Sequence, residues 1–279
     1  MLPFQDARIY QICFLLLFLL VGMGTRDWSL QPGMIGVAIG TCLLTQLLAE
    51  QIMSRVSPPA IEDSNRKPQT AKFPPSSLLS ALITALGLSL LLRADYYGTM
   101  EIAASLAILS KFLLRARGKH LFNPANFGII AALLLTPDAW VSPGQWGTEN
   151  WYALLFFSTG GLVLNRVGRW DTTVAFLGTY AGLEAARNLW LGWTWDVWVH
   201  RLMSGSLLLF ALFMITDPRT IPNARSGRIL WAIAIGFLTF GLRNLCFLPT
   251  AMFWALFALA PLGWLLDLCL PADRFNWSA

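Results

Sequence analysis

The chain has 279 residues, is 56% hydrophobic and only 13% charged, and has a mean hydropathy of +0.58. Such a composition lies outside the range of soluble domains and predicts an integral membrane protein. A formal net charge of +5 would suit nucleic acid, but the basic residues fall in short clusters between apolar runs, which membrane orientation explains and a nucleic-acid face does not.

The first 24 residues, MLPFQDARIYQICFLLLFLLVGMG, have the apolar run of a signal peptide. Asp6, the missing small-x-small site and the immediate return span predict a retained helix instead. Apolar runs predict spans near residues 10–24, 28–53, 77–92, 98–114, 121–136, 151–165, 172–188, 199–215, 229–245 and 250–270. Several are shorter than the ~20 residues of a straight spanning helix, so tilted or broken helices are expected. Residues 54–76 form a Pro- and Ser-rich linker with Arg55, Arg66, Lys67 and Lys72, as an irregular cytoplasmic loop would.

Arg8, that linker, RARGKH, NRVGR and DPRTIPNARSGR fall on one side if every run crosses the bilayer, and PDAWVSPGQWGTEN, without Lys or Arg, falls on the other. The bias predicts one integral domain of the inner membrane with both termini cytoplasmic; Arg26, Arg93 and Arg187 are exceptions at or near the outer face. Trp140, Trp146, Trp151, Trp190, Trp193, Trp195 and Trp198 map to the outer boundary. They read as an aromatic interface belt, with a stacking platform for a planar cofactor as the sharper alternative. Cys13, Cys42, Cys246 and Cys269 lie in apolar stretches without metal-ligand spacing and read as buried thiols, not disulfides or iron-sulfur ligands. His120 and His200 are the only histidines and map to opposite faces, which argues against a bis-His haem.

HLFNPANFGIIAALLLTP (His120 to Pro137) aligns with LCFLPTAMFWALFALAP (Leu245 to Pro261) through Phe-x-Pro, with a second Pro closing each run. SLLSALITAL from Ser77 parallels SLLLFALFMI from Ser206, at a similar offset. The expectation is an all-α polytopic protein of two five-helix repeats, about 10–137 and 151–270. Five is odd, so the copies are inverted, and such folds place a site near the midplane between repeats, using broken helices.

Three polar intrusions mark that site. Asn123-Pro124, followed by Asn126, predicts a helix start at which Asn123 caps the first turn and free N–H groups make a slightly positive spot. Thr216, Asp217 and Pro218 end the eighth span, and the loop returns through Arg219, Arg225 and Arg228; Asp and Arg pair to fix the loop, or the arginines bind phosphate or carboxylate. Ser204, Gly205 and Ser206 allow close backbone approach. No nucleophile, metal cluster or acid-base pair points to independent catalysis. Aquaporins use two Asn-Pro-Ala copies, whereas the second position here reads Phe247-Leu248-Pro249-Thr250.

KHLFNPANFG, LMSGSLLLFALFMITDP and the downstream Gly227-Arg228 together resemble the signature blocks of a membrane-protein family, in order and spacing, over roughly residues 75–270. The family includes the NqrB component of the sodium-pumping NADH:quinone oxidoreductase and the RnfD component of the Rnf electron-transport complex. The resemblance implies ten helices in two inverted halves, similar to the urea-transporter fold. It also implies flavin-linked electron transfer coupled to sodium or proton movement, alongside other membrane and redox subunits. Better-known members attach FMN to a Thr of an outer loop reading Asp-Gly-x-Thr-x-Ala-Thr. Here LLLTPDAW runs into VSPGQWGTENWYALLFF, where Thr148 has a different context, so no covalent FMN is expected. The family's Ser-Gly-Ala-Thr is also altered, to Ser204-Gly205-Ser206-Leu207. The leading expectation is a compact paralogue with a noncovalent flavin (riboflavin or FMN), or none, at Asn123, Pro124, Asn126, Ser204, Gly205, Ser206, Thr216, Asp217 and Arg228. The rival is a transporter or channel for a small polar solute that kept the scaffold and has no redox role.

Overall fold

The structure, a computed structural model, describes residues 6–25, 29–56, 75–144 and 150–275. Arg26, most of the 54–76 linker, Trp146 and Thr148 therefore lie outside the described residues. Helices dominate, as the composition predicts: α1 (Ala7–Thr25), α2 (Pro32–Val56), α3 (Pro75–Leu91), α4 (Tyr97–Leu113) and α5 (Pro124–Leu135) form the first half. The second half contains α6 (Asn150–Val167), α7 (Trp170–Trp190), α8 (Trp195–Leu202), α9 (Gly205–Leu209), α10 (Arg225–Asn244) and α11 (Ala251–Cys269). Among the described residues, three segments are long and apolar enough to cross a membrane, Ala7–Gly24, Pro32–Arg55 and Ala251–Cys269; Ser77–Leu91, Pro124–Leu135 and Gly205–Met214 are apolar but shorter.

The two halves use their helices alike. α2 packs on α4 and α4 on α5, while α7 packs on α10 and α10 on α11. Asp171 meets Arg228 at one end of α7 and α10, and Glu184 meets Asn244 at the other, so those helices run parallel. Small residues set the spacing. A Cβ on Gly128 of α5 would sit 2.5 Å from the Ala103 carbonyl oxygen of α4, and one on Gly236 of α10 would sit 2.9 Å from Thr179 Cβ of α7. Backbones approach this closely only where a side chain is missing.

The expected eighth span, 199–215, is broken. α8 stops at Leu202, and the chain re-enters helix at Gly205 after Ser204, whose hydroxyl donates to the Pro143 carbonyl at 2.7 Å. α9 then widens into a π-helical turn, Phe210–Met214, closed by Ile215 N donating to Phe210 O. A π turn disturbs the regular carbonyl ladder. Here Thr173 of α7 donates to Ala211 O at 2.6 Å, and Asn123 Nδ2 to Met214 O at 3.2 Å. The sequence parallel between 120–137 and 245–261 also needs correction at its far end: Pro137 follows α5, but Pro261 lies inside α11.

Short strands close the connections. β1 (Leu92–Arg93) pairs antiparallel with β4 (Trp140–Val141), tying the end of α3 to the segment after α5. β2 (Arg115–Ala116) and β3 (Lys119–His120) form a hairpin whose two turn residues, Arg117 and Gly118, both have positive φ (51° and 78°), as a type I′ turn requires. The most enclosed large side chains are Trp231, Tyr180, Phe176, Phe210 and Phe253. Of the cysteines, all free, only Cys42 is buried; Cys13, Cys246 and Cys269 are exposed, because they lie on faces turned away from the protein core.

Candidate functional site

α5 begins as its sequence dictates. Pro124 occupies the first turn, and Asn123 is the N-cap, its Oδ1 accepting from Asn126 N at 3.1 Å. Pro124 has no N–H and Phe127 N bonds to Asn123 O, so the expected cluster of free donors reduces to Ala125 N. The same asparagine reaches across to Met214 O, and Asn126 Nδ2 reaches Phe253 O of α11 at 3.1 Å. Both asparagines therefore join the first half to the second.

Two cavities adjoin this seam. One, of ≈ 90 Å³, is lined on its polar side by Arg8, His120, Asn123, Thr216, Asp217 and Arg219. The other, of ≈ 350 Å³, is lined by Trp140, Ser142, Tyr152, Phe156, Gly205 and Ser206 among others. Leu90, Leu91 and Leu209 line both, so the same three leucines form a septum between them. Beside it, Phe18 stacks on Phe156 at 4.1 Å and meets Phe213 edge-on at 5.7 Å.

The nine residues singled out from sequence divide among several places. Asn123, Pro124, Thr216 and Asp217 line the smaller cavity; Gly205 and Ser206 line the larger, with Ser204 bonded to Ser206 at 2.9 Å. Asn126 is buried against α11, its Oδ1 without a partner. Arg228 lines neither cavity. Of the three loop arginines, Arg219 is the one that meets Asp217, whose carboxylate accepts from Arg219 N at 3.0 Å in a local turn, whereas Arg228 grips Asp171 at 2.7 Å. Asp171 carries no warning in the sequence, because a lone acid in the first turn of a span reads as a helix-dipole partner.

The electrostatics of the smaller cavity are set by burial. Desolvation pushes His120 down to about 3, aided by the nearby Arg115, Arg219 and Lys111 charges, so its imidazole is neutral at physiological pH. Its Nδ1 is buried without a partner. Burial raises the Asp217 carboxyl, against the Arg219 backbone bond and charge. Lys119, next to His120, is lowered by burial although it forms an ion pair with Asp267 of α11 at 2.7 Å. That bridge, also missed from sequence, clamps the β2–β3 hairpin onto the second half.

Flavin can be tested against these sizes. Small-molecule sites occupy roughly 300–1,000 Å³. The smaller cavity falls below that range and the larger falls within it. The larger one is also lined by three aromatic residues, Trp140, Tyr152 and Phe156, and by Ser206. Its residues fit a flavin ring; those around Asn123 do not fit the ring itself.

Known proteins resemble parts of this chain. The NQR2, RnfD, RnfE family matches residues 141–276. The RnfD protein of the ion-translocating oxidoreductase complex of Stutzerimonas stutzeri is 38% identical over 125 residues, 42% of this chain and 34% of that protein. The protein of the same name from Pseudomonas paraeruginosa (strain DSM 24068 / PA7) is 28% identical over 237 residues, 62% of this chain and 68% of that one. The Pseudomonas aeruginosa (strain LESB58) protein is 28% identical over 251 residues, 66% and 72%. The chain thus spans about a third of the first relative and about two thirds of the second. Ser204, Gly205, Ser206, Thr216, Asp217 and Arg228 fall inside the family match, and the Asn123 block precedes it. Residues 141–276, just under half of the chain, are thus similar to the NQR2, RnfD, RnfE family.

Proposed function

We propose that this chain is the membrane component of an Rnf/Nqr-type ion-translocating oxidoreductase complex, working with other membrane and redox subunits in the inner membrane. The supporting names are those of the RnfD relatives. In this reading ten passes form two inverted five-helix halves, similar to the urea-transporter fold, with both termini cytoplasmic. The like packing of α2, α4 and α5 and of α7, α10 and α11 supports it.

The observation that carries the functional reading is the larger cavity. A noncovalent flavin, riboflavin or FMN, would lie there against Trp140, Tyr152 and Phe156, with Gly205 and Ser206 along one wall and Ser204 bonded behind Ser206. When bound, such a group supplies one-electron oxidation and reduction. The chain's own residues orient the ring and exclude water. Asn123, Pro124, Asn126, Thr216, Asp217 and Arg228 hold the half-helix ends and the loop behind it. Co-purification with redox subunits, with visible flavin absorbance that leaves the chain on denaturation, is the expected result; a colourless chain without redox partners overturns it.

The septum favours one second reading, a transporter or channel for a small polar solute. Two cavities that end on the same three leucines are what an alternating or gated path requires. Solute flux in liposomes by the colourless chain is its test.

A further inference from the structure

Arg187 in the last turn of α7 and Arg243 in the last turn of α10 lie at the end of these helices remote from Asp171. Arg201 of α8 joins them. Arg187 and Arg201 both lie over the Trp193 ring, 4.7 and 5.5 Å from its centroid. The one buried carboxylate nearby, Glu184, is already occupied: Arg201 Nη1 donates to Oε2 at 3.0 Å and Asn244 Nδ2 to Oε1 at 2.7 Å. Arg187 Nη1 is buried with no acceptor, and neither Arg187 nor Arg243 forms an ion pair among the described residues. Asp196, in the first turn of α8, pairs with none of the three arginines there.

Helix capping does not use these donors. Leu191 N takes Arg187 O, Trp193 N takes Asn188 O, and Asn188 Nδ2 takes the Trp193 and Thr194 carbonyls. On α10, Leu245 N takes Gly241 O, Leu248 N takes Leu242 O, and Asn244 Nδ2 takes Phe240 O. Two guanidinium groups are thus left without an anion where the basic-residue bias of the chain predicts none. The surface around them is apolar: Leu189 is 65% exposed, Trp190 88%, Leu245 77% and Phe247 81%. Phe247 holds this position with a φ of 55°, a conformation that bulky residues avoid and that keeps its ring on the outside.

We infer that Arg187, stacked on Trp193, and Arg243, at the neighbouring end of α10, bind the phosphate of an anionic phospholipid, whose acyl chains lie against Leu189, Trp190, Leu245 and Phe247. The unpaired guanidinium groups supply the charge-assisted hydrogen bonds, and the apolar collar favours a lipid over a free oxyanion. The site is separate from both cavities and independent of the proposed function.

The test uses the full-length chain in detergent. Native mass spectrometry compares retention of phosphatidylglycerol and phosphatidylcholine, with inorganic phosphate as competitor. Preferential retention of phosphatidylglycerol is expected, falling about fivefold for each arginine removed in Arg187→Gln and Arg243→Gln. Arg117→Gln, on the exposed β2–β3 turn, leaves retention unchanged. Because a variant can be lost for unrelated reasons, brominated lipids supply a second measurement on the unmodified protein: brominated phosphatidylglycerol quenches tryptophan emission more than brominated phosphatidylcholine. Equal retention of the two lipids, an unaltered double variant, equal quenching, or displacement of the lipid by inorganic phosphate alone would each overturn the assignment.

Discussion

Arg228 holds Asp171 through two nitrogens, Nη2 to Oδ2 at 2.7 Å and Nε to Oδ1 at 3.3 Å, with both side chains only 6% exposed. The pair fastens the start of α10 to the start of α7, and Arg228 Nη1 also donates to Asn223 O, which ties down the preceding loop. Removing Asp171 leaves the Arg228 charge buried without a counter-ion, and removing Arg228 leaves Asp171 only the exposed Arg225 at 3.8 Å, a loss of about 3–5 kcal/mol, whereas replacing both with apolar residues is far milder. Asp171→Leu and Arg228→Met are each expected to lower the melting temperature in detergent more than the double variant does. A double variant as unstable as the sum of the singles would show that the pair has no such coupling.

Gly128 is expected to be the least replaceable glycine of the first half. An added Cβ would press on the Ala103 carbonyl oxygen at 2.5 Å and Ala107 Cβ at 2.9 Å, both on the backbone or its first carbon, so α4 and α5 must separate. Gly178 of α7 has nothing within 4 Å. Gly128→Ala should destabilise by about 1–3 kcal/mol, the usual range for overpacking, while Gly178→Ala leaves unfolding unchanged or slightly improved. Thermal unfolding followed by intrinsic fluorescence separates the two.

Asn123→Ala removes two bonds at once, the cap to Asn126 N and the donor to Met214 O. Loss of a cap costs about 0.5–2 kcal/mol, and the Met214 carbonyl, left with only the longer bond from Asp217 N at 3.4 Å, loses a hydrogen bond worth about 0.5–1.5 kcal/mol. Asn123→Ser keeps a capping oxygen but loses the reach to Met214, so it should fall between wild type and Ala. Hydrogen exchange at residues 210–216 is the specific readout: both variants should speed it, because the π turn loses the same partner in each. Unchanged exchange there would mean that Asn123 supports α5 alone.

How far these contacts were legible depended on their range. Asn123 and Pro124 declared a helix start because capping and the missing N–H are local chemistry, and the cap forms at that residue. The reach of Asn123 to Met214, 91 positions on, has no local signature. The loop offers Asp217 three arginines, Arg219, Arg225 and Arg228, with no local signal to choose between them; packing of α7 on α10 gives Arg228 to Asp171, while Asp217 turns back on Arg219. The break at Ser204 was hinted at by Ser-Gly-Ser, yet an apolar run on both sides gives the same hydropathy whether the helix is continuous or interrupted.

Acid should weaken the hairpin that carries His120. Its folded pKa is lowered from 6.5 to about 3, first by burial. The unfolded chain therefore binds the proton more readily between those values, and stability falls as pH drops through that window. Asp217, raised by burial, works in the opposite sense near its own range. A lower melting temperature at about pH 5 than at about pH 7 is expected in the wild-type chain, and the difference should shrink in His120→Asn. An identical slope in the variant would assign the acid response to other groups.

The septum gives the last prediction. Leu90, Leu91 and Leu209 line both cavities, and Leu209 is buried in the first turns of the broken helix, one residue before the π segment. A hydrophobic constriction holds back polar solutes because they must shed water to pass it. Leu209→Ser shortens the apolar barrier and supplies a hydroxyl, so leak of a small polar solute or cation through the reconstituted chain should rise about tenfold, the ratio for about 1.4 kcal/mol. Leu134→Ser, on an exposed face of α5, provides the matched control. If Leu209→Ser liposomes are as tight as the control, the cavities do not communicate and the path reading fails; if they leak while flavin content is unaltered, the septum is a barrier to passage and not a wall of the flavin site.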